Sequence, residues 1–302
     1  MVTNKIYDVV IIGGSYSGLS AAMALGRSLR SVLIIDAGKP CNSQTPHSHN
    51  FLTQDGVKPN IIAQKAIKEV LEYSSVSILN DFAVSGQKTD SGFEIITKKG
   101  EVIAAKKLIF ATGVKDIMPQ ITGFSDCWGI SVIHCPYCHG YEFKRQKTGI
   151  LANGNKAFHV ASMVYNLTNN VSILTSGKSD FSIEQIEKLK KHNIEVIEKE
   201  IVEIEHTNGN VNNVVFKNGE KINFNAIYAA ITFEQHSQIP ASIGCEFSEL
   251  GYIQVDDFQK TSIEGVFACG DNSSMLRSVA NAVASGNIAG AMANMELVTE
   301  QF

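Results

Sequence analysis

Tyr7-Asp8-Val9-Val10-Ile11-Ile12-Gly13-Gly14-Ser15-Tyr16-Ser17-Gly18 decides how this chain folds. Val9 to Ile12 are aliphatic without alternation, as in a parallel strand buried on both faces. Glycines then open a tight turn, and the Ala-rich stretch 19–27 reads as a helix. A second apolar strand, 31–35, ends at Asp36. Together these form the βαβ unit that binds a dinucleotide. Glycines let the backbone approach a pyrophosphate, the helix N-terminus receives its charge, and an acid about 20 residues on holds ribose hydroxyls. The candidate contacts are Gly13, Gly14, Ser15, Gly18 and Asp36, with Ala37 and Gly38 just beyond the acid. Ser15 stands where the fingerprint has its second glycine and crowds the approach slightly. An ordinary glycine turn is the competing reading, and the flanking strand, helix and acid weigh against it.

Outward from that unit, residues 38–55 lack a regular period and carry Asn42, Gln44, His47, His49 and Asn50. A polar loop placed there suits contact with a flavin, and a solvated loop is the plain alternative. A helix is expected over 60–73, then short strands over 76–79, 82–85, 93–97 and 102–104. A buried strand over 107–111 ends in Ala111-Thr112-Gly113, where glycine lets backbone come close to a cofactor. Residues 116–123, with Pro119, read as a linker. A second βα unit follows: strand 149–151, the turn Ala152-Asn153-Gly154-Asn155-Lys156-Ala157, and helix 158–165. Its first glycine is absent, and strand 171–174 ends in Thr175-Ser176-Gly177, without the arginine a 2′-phosphate wants. Gly154, Asn155 and Ala157 are its candidate nucleotide contacts, supported by architecture and weakened in detail. Strands over 195–201, 203–206, 211–216 and 221–224 form a second meander, and strand 226–231 closes it. A strand over 251–255 precedes the buried run 265–271, which ends in Gly270-Asp271, and an Ala-rich helix covers 278–297. Gly286 and Gly290 suit close packing of that helix.

The chemistry centres on His134-Cys135-Pro136-Tyr137-Cys138-His139-Gly140-Tyr141-Glu142. Pro136 suits the first turn of a helix, which puts Cys135 at the N-cap. Thiols in such motifs reach pKa values of roughly 3.5–7.5. The chain has 302 residues, 44% of them apolar and 19% charged, enough for two packed domains. Its net charge of -4, with no long basic run, argues against a nucleic-acid surface. No leader and no apolar run of about 20 residues is read, so a cytoplasmic protein without membrane association is expected. Six cysteines in this length are not a disulfide framework. In a reducing compartment, the one pair close in sequence reads as redox-active. Covalent haem attachment at Cys-x-x-Cys-His lacks an exporting context. A zinc knuckle would need four ligands within six residues, which strains tetrahedral geometry, so no metal is expected.

With these residues in view, the chain resembles the low-molecular-weight, thioredoxin-reductase-like flavoproteins. The likeness spans nearly the whole sequence and rests on 11–18, 111–113, 135–140 and 261–271. It implies an α/β fold of two Rossmann-like, three-layer ββα domains, with the nucleotide domain inserted into a discontinuous FAD domain. The expected division is 1–115 and 242–302 for FAD, and 116–241 for pyridine nucleotide and dithiol. The resemblance implies FAD, with NADPH or NADH, a homodimer, and a disulfide or dithiol substrate, small or thioredoxin-like. It implies that Cys138 faces the flavin, that Cys135 exchanges with substrate, and that His139 replaces the family's usual aspartate as proton donor and acceptor. It also implies flavin contacts from Gly270, Asp271, Arg277, Ser278 and Val279. The Cys-His-Gly-Tyr-Glu continuation, His49-Asn50-Phe51-Leu52 and Leu174-Thr175-Ser176-Gly177 resemble the branch acting on small-molecule dithiols, as in the gliotoxin and holomycin pathways. Three electron routes stay open: from NAD(P)H through FAD and the pair to a disulfide, the reverse from a dithiol to oxygen, or entry from a protein donor.

Overall fold

A computed structural model describes residues 5–302. The chain divides into two compact units. The first holds residues through Ser43, then Phe51–Lys115 and Glu234–Phe302; the second holds Gln44–Asn50 and Asp116–Phe233.

In the first unit, β1 (Ile6–Ile12) leads to α1 (Tyr16–Arg27) and β2 (Val32–Asp36), then α2 (Pro59–Leu71) and β3 (Val76–Asn80). A meander of β4 (Ala83–Thr89), β5 (Gly92–Thr97) and β6 (Val102–Phe110) follows. The sheet order is β3-β2-β1-β6-β5-β4, and the returning strand Val266–Ala268 lies parallel to β6. Separate strands over 102–104 and 107–111 were expected, yet β6 is continuous. Its first half alternates in burial beside antiparallel β5, and its second half is buried throughout, between β1 and the returning strand. Aliphatic side chains of opposite parity fill the two faces. Val9, Ile11 and Ile34 meet the helices, while Val10, Ile12 and Leu33 meet the meander.

The C-terminal helix Val279–Gln301 lies on α1 at backbone contact: a side-chain carbon at Gly286 or Gly290 would come 2.1 Å from the Ser17 carbonyl or 2.5 Å from that of Ala21. Ser20 Oγ also donates to the Val283 carbonyl at 2.7 Å. Farther along, Lys107 pairs with Glu300 and, at 3.0 Å, with Glu296, which also takes Lys260 at 2.8 Å. Burial works against the Lys107 charge, but the two carboxylates outweigh it and raise its pKa. Each buried Leu or Ile side chain contributes about 1.5–3 kcal/mol, whereas Lys107 is buried and the cost of desolvating its charge offsets much of the attraction of its carboxylates. Packing of Leu297 and its neighbours therefore dominates the helix's placement.

Two expectations shift here. The return was set at residue 242, yet the unit resumes at Glu234, because Ile239 is buried in the same core as Phe93 and Ile95. The strand expected over 251–255 is a single bridge, Phe247 to Ile253, closed by Ser248 and Tyr252 backbone bonds around Gly251.

The second unit comprises β7 (Val132–Ile133), α3 (Pro136–His139), β8 (Thr148–Leu151), α4 (Gly154–Val164), β9 (Val171–Leu174), α5 (Ile183–Lys191), β10 (Glu195–Ile197), β11 (Ile201–Thr207), β12 (Asn210–Phe216), β13 (Lys221–Asn223) and β14 (Ala226–Ala229). Five parallel strands run in the order β10-β9-β8-β14-β7, and β11, β12 and β13 form an antiparallel sheet. The strand expected over 195–201 breaks at 198–200, since its halves join different sheets. Residues 116–123 are not a loose linker. Met118 and Ile121 pack on the Phe124 cluster, and Thr122 bridges to Glu203. No described helix is long and apolar enough to cross a membrane.

Candidate functional site

Parallel strands β1, β2, β6 and the returning strand end on one side of the first unit's sheet, and the predicted dinucleotide residues gather there. Gly13 has φ +107, and a side-chain carbon on it would lie 2.2 Å from the Ala111 carbonyl. Only glycine accepts both conditions. The Gly14 N–H donates to Asp36 Oδ1 at 2.9 Å, and the Gly38 N–H to Asp36 Oδ2 at 3.1 Å. Ala37 lies exposed between them. Gly18 sits where a side chain would meet the Gly13 carbonyl, so helix and turn stay close. Ser15 is the N-cap of α1, but its side chain caps nothing. The first-turn N–H groups of that helix therefore have no side-chain acceptor, which suits an anion.

The rest of this end completes the cradle. Thr112 and Gly113 follow β6, and the Gly270 N–H donates to Ser285 Oγ at 3.1 Å. Arg277 Nε stands 3.5 Å from Asp271 Oδ2, both largely buried. Ser278 caps the C-terminal helix by accepting the Asn281 N–H at 3.1 Å, with Val279 as its first residue. Asn42 Nδ2 donates to the Tyr16 hydroxyl at 3.3 Å, whose pKa burial pushes up. Asn272 was not anticipated. Fully buried, it donates through Nδ2 to the Phe110 carbonyl at 2.8 Å and to Thr112 Oγ1 at 3.3 Å, while its Oδ1 has no partner. Asn281 Nδ2 is likewise buried and unpartnered. An unsatisfied buried polar atom costs about 1–3 kcal/mol. A bound dinucleotide with polar groups beside a glycine cradle fits these atoms. The sequence signal for Asn272 was its place directly after a strand-ending Gly-Asp.

The second unit's turn differs. Asn153 is the N-cap of α4, and its Oδ1 accepts the N–H groups of Gly154 at 2.8 Å and Asp180 at 2.9 Å. Its Nδ2 donates to the Lys178 carbonyl at 2.9 Å. Gly154 has φ +56, and a side-chain carbon there would lie 3.0 Å from the Asp180 carbonyl and 3.6 Å from its carboxylate. Asn155 accepts from Gln185 at 2.8 Å, and Ala157 is buried in the core with Ile173. Thr175 Oγ1 donates to the Gly177 carbonyl at 2.6 Å, and Ser176 Oγ accepts the Ile201 N–H at 3.1 Å. A turn whose donor is taken, with a carboxylate alongside, fits a pyrophosphate poorly.

The same unit carries the cysteine pair. Cys135 is the N-cap of α3, extended at φ −119 and ψ 117, with Pro136 in the first turn, as expected. Its carbonyl accepts the N–H groups of Cys138 at 3.2 Å and His139 at 3.3 Å. That single turn puts the two Sγ atoms 2.9 Å apart, so small side-chain rotations reach the about 2.05 Å of a bond. Gly140 is required by crowding: a side-chain carbon there would lie 2.3 Å from the Pro136 carbonyl and 2.9 Å from the buried Tyr228 hydroxyl. His49 and Asn50, expected beside a flavin, belong to this unit. His49 Nε2 stands 3.5 Å from Glu142 Oε1, and its ring lies edge-on to that of His139 with centroids 6.2 Å apart. Burial lowers the His139 pKa and His49 adds to this, against an opposing pull from Glu142.

The remaining thiols differ in kind. Burial pushes Cys269 up to about 12 and Cys127 up to about 11, and raises Cys245 too. Trp128 stacks on Phe124 at 5.7 Å and belongs to the core. His159 is exposed on α4. Among the described residues, no group of three or more His, Cys, Asp or Glu could hold a metal ion.

Known proteins match this architecture. The family described as pyridine nucleotide-disulphide oxidoreductase matches residues 7–286. A thioredoxin reductase of Claviceps purpurea, tcpT, is 32% identical over 99% of this chain and 97% of its own length. A thioredoxin reductase of Aspergillus oryzae, aclD, is 29% identical over 94% of each. The solved structure of an oxidoreductase from Agrobacterium tumefaciens superposes with a TM-score of 0.91 at 33% identity, covering 98% of this chain and 99% of that one.

Proposed function

The chain belongs to the pyridine nucleotide-disulphide oxidoreductase family, and from that premise we propose how its residues divide the reaction. It is a thioredoxin-reductase-like oxidoreductase, and FAD with NAD(P)H are the family's cofactors. FAD, when bound, supplies a two-electron carrier. In our reading, the turn from Gly13 to Gly18 and the start of α1 hold its pyrophosphate. Asp36 holds the adenosine ribose, while Thr112, Gly113, Asp271, Asn272, Arg277 and the start of the C-terminal helix hold the rest.

The dithiol works on a disulfide, and we place small molecules first and thioredoxin-like proteins second. Cys135 Sγ, as thiolate, attacks the substrate disulfide; one S–S bond breaks, a mixed disulfide forms, and the first substrate thiolate leaves. Cys138 Sγ then attacks Cys135 Sγ, closing the pair and releasing the second thiolate. Two electrons and two protons pass from the pair to the substrate, and His139 carries a proton in each direction. The observation that carries this reading is the 2.9 Å separation of two sulfurs on a proline-started turn. Residence in a reducing cytoplasm and assembly as a homodimer belong to the same reading, and sedimentation at twice the chain mass checks the latter.

Cys135→Ser in the flavin-loaded enzyme should lose at least about a thousandfold in disulfide turnover while flavin absorbance stays. Turnover at the parent rate would overturn the reading. Iodoacetamide at neutral pH should label Cys135 or Cys138 and leave the buried Cys127 and Cys269 unmodified.

The filled turn at Asn153 favours a second reading for the direction of flow. A small dithiol gives up two electrons and two protons, closing its own disulfide, and molecular oxygen takes both to give hydrogen peroxide. Oxygen uptake with a dithiol and no nucleotide supports it, and strict dependence on NADPH or NADH excludes it.

A further inference from the structure

The second unit gathers ionisable groups around His139 that the exchange steps above do not use. His49 arrives from Gln44–Asn50, and Glu142 from the short 3-10 helix Tyr141–Phe143. His49 is half-buried, with its Nε2 at 3.5 Å from Glu142 Oε1. Its ring stands perpendicular to that of His139 at 6.2 Å between centroids. Exposed His47 has its ring centroid 6.3 Å from that of His49. Three imidazoles thus step from solvent to the residue beside Cys138.

We propose that His49 and Glu142 are positioning residues for the proton of the dithiol: Glu142 orients His49, and His49 exchanges that proton between His139 and solvent. This rests on the reading of the Cys135–Cys138 pair as the reacting centre. Two imidazolium ions so close repel, so the positions share one proton rather than holding two. The burial of His139 disfavours a proton there. His139 thereby stays neutral, ready to accept the proton of a thiol, and His49 takes it onward.

Among the described residues, with His134 just before the turn, the elements next to His139 carry the following ionisable groups. Its own turn carries Cys135 and Cys138, and the 3-10 helix adds Tyr141 and Glu142. The 44–50 segment adds His47 and His49, and β14 places Tyr228 against Gly140. Helix α4, which packs on α3, carries Lys156 and His159. Of these, His49 and Glu142 are the two whose charge acts on His139.

The test compares disulfide turnover against pH for the flavin-loaded parent, His49→Gln and Glu142→Gln. With His49→Gln the repulsion is gone, His139 binds its proton more tightly, and the acid limb moves to higher pH. At pH 6 its turnover, relative to its own maximum, should fall roughly threefold. With Glu142→Gln the attraction is gone, and the acid limb moves to lower pH. Opposite displacements support the proposal; equal displacements, or none, overturn it. If the parent turns over no disulfide or dithiol, the reading of the pair has failed, and the proposal is read separately. NMR titration of carbon-labelled His139 should then show the same opposite displacements, and their absence overturns it.

Discussion

Gly13–Gly18 and Asn153–Ala157 hold the same place in two similar units, between a buried parallel strand and a helix. The first turn spends none of its helix's opening donors on a side-chain cap, since Ser15 makes no cap bond. The second spends Gly154 N–H on Asn153 and brings Asp180 alongside. A helix start is an anion site only where the chain leaves its donors unspent, whatever the topology around it. Shared architecture thus does not imply shared ligands.

The largest effect should come from breaking the first turn. Gly13→Val meets the Ala111 carbonyl at a backbone angle that L-residues avoid, and should cost about 3 kcal/mol or more. Flavin absorbance per chain should vanish and the denaturation midpoint should fall; retained flavin would break the comparison. Opening the second turn comes next. Asn153→Gly with Asp180→Asn frees the Gly154 donor and removes the carboxylate. Fluorescence titration with NADPH should show affinity rising roughly tenfold, about 1.4 kcal/mol, at unchanged flavin content. Asp36→Asn keeps an acceptor for Gly14 but loses its charge, so FAD affinity should fall about fivefold by equilibrium dialysis, near 1 kcal/mol. Ser15→Gly restores the glycine fingerprint and removes no cap bond. It should change melting by no more than about 0.5 kcal/mol, since glycine at an N-cap costs only a few tenths.

Much of this was legible in the sequence because its signals are local. Consecutive aliphatics at Val9–Ile12, a glycine turn and an acid at Asp36 specify a strand, a turn and a strand end within one stretch. The CxxC turn formed where Pro136 set it. Other features depend on residues far apart in the chain. The weakness of the second turn was read as a missing glycine at Ala152, whereas the obstacle is the Asn153 side chain and an aspartate 27 residues beyond it. His49 was read in a polar loop suited to a flavin, and nothing in the sequence signalled that Glu142 and His139 are its neighbours in space. β6 was divided at Ala105 and Lys106 because its pattern changes there, and the change marks a passage from one environment to another within a single strand.

The glycine faces of Val279–Gln301 seated on Ser17 and Ala21 have a temporal consequence. The two sides of the proposed cradle, residues 13–18 and 270–286, are far apart in the chain, so a growing chain on the ribosome carries only one side of it until residue 286 is made. In that reading flavin capture waits for residue 286, and a nascent chain stalled before it stays an apoprotein.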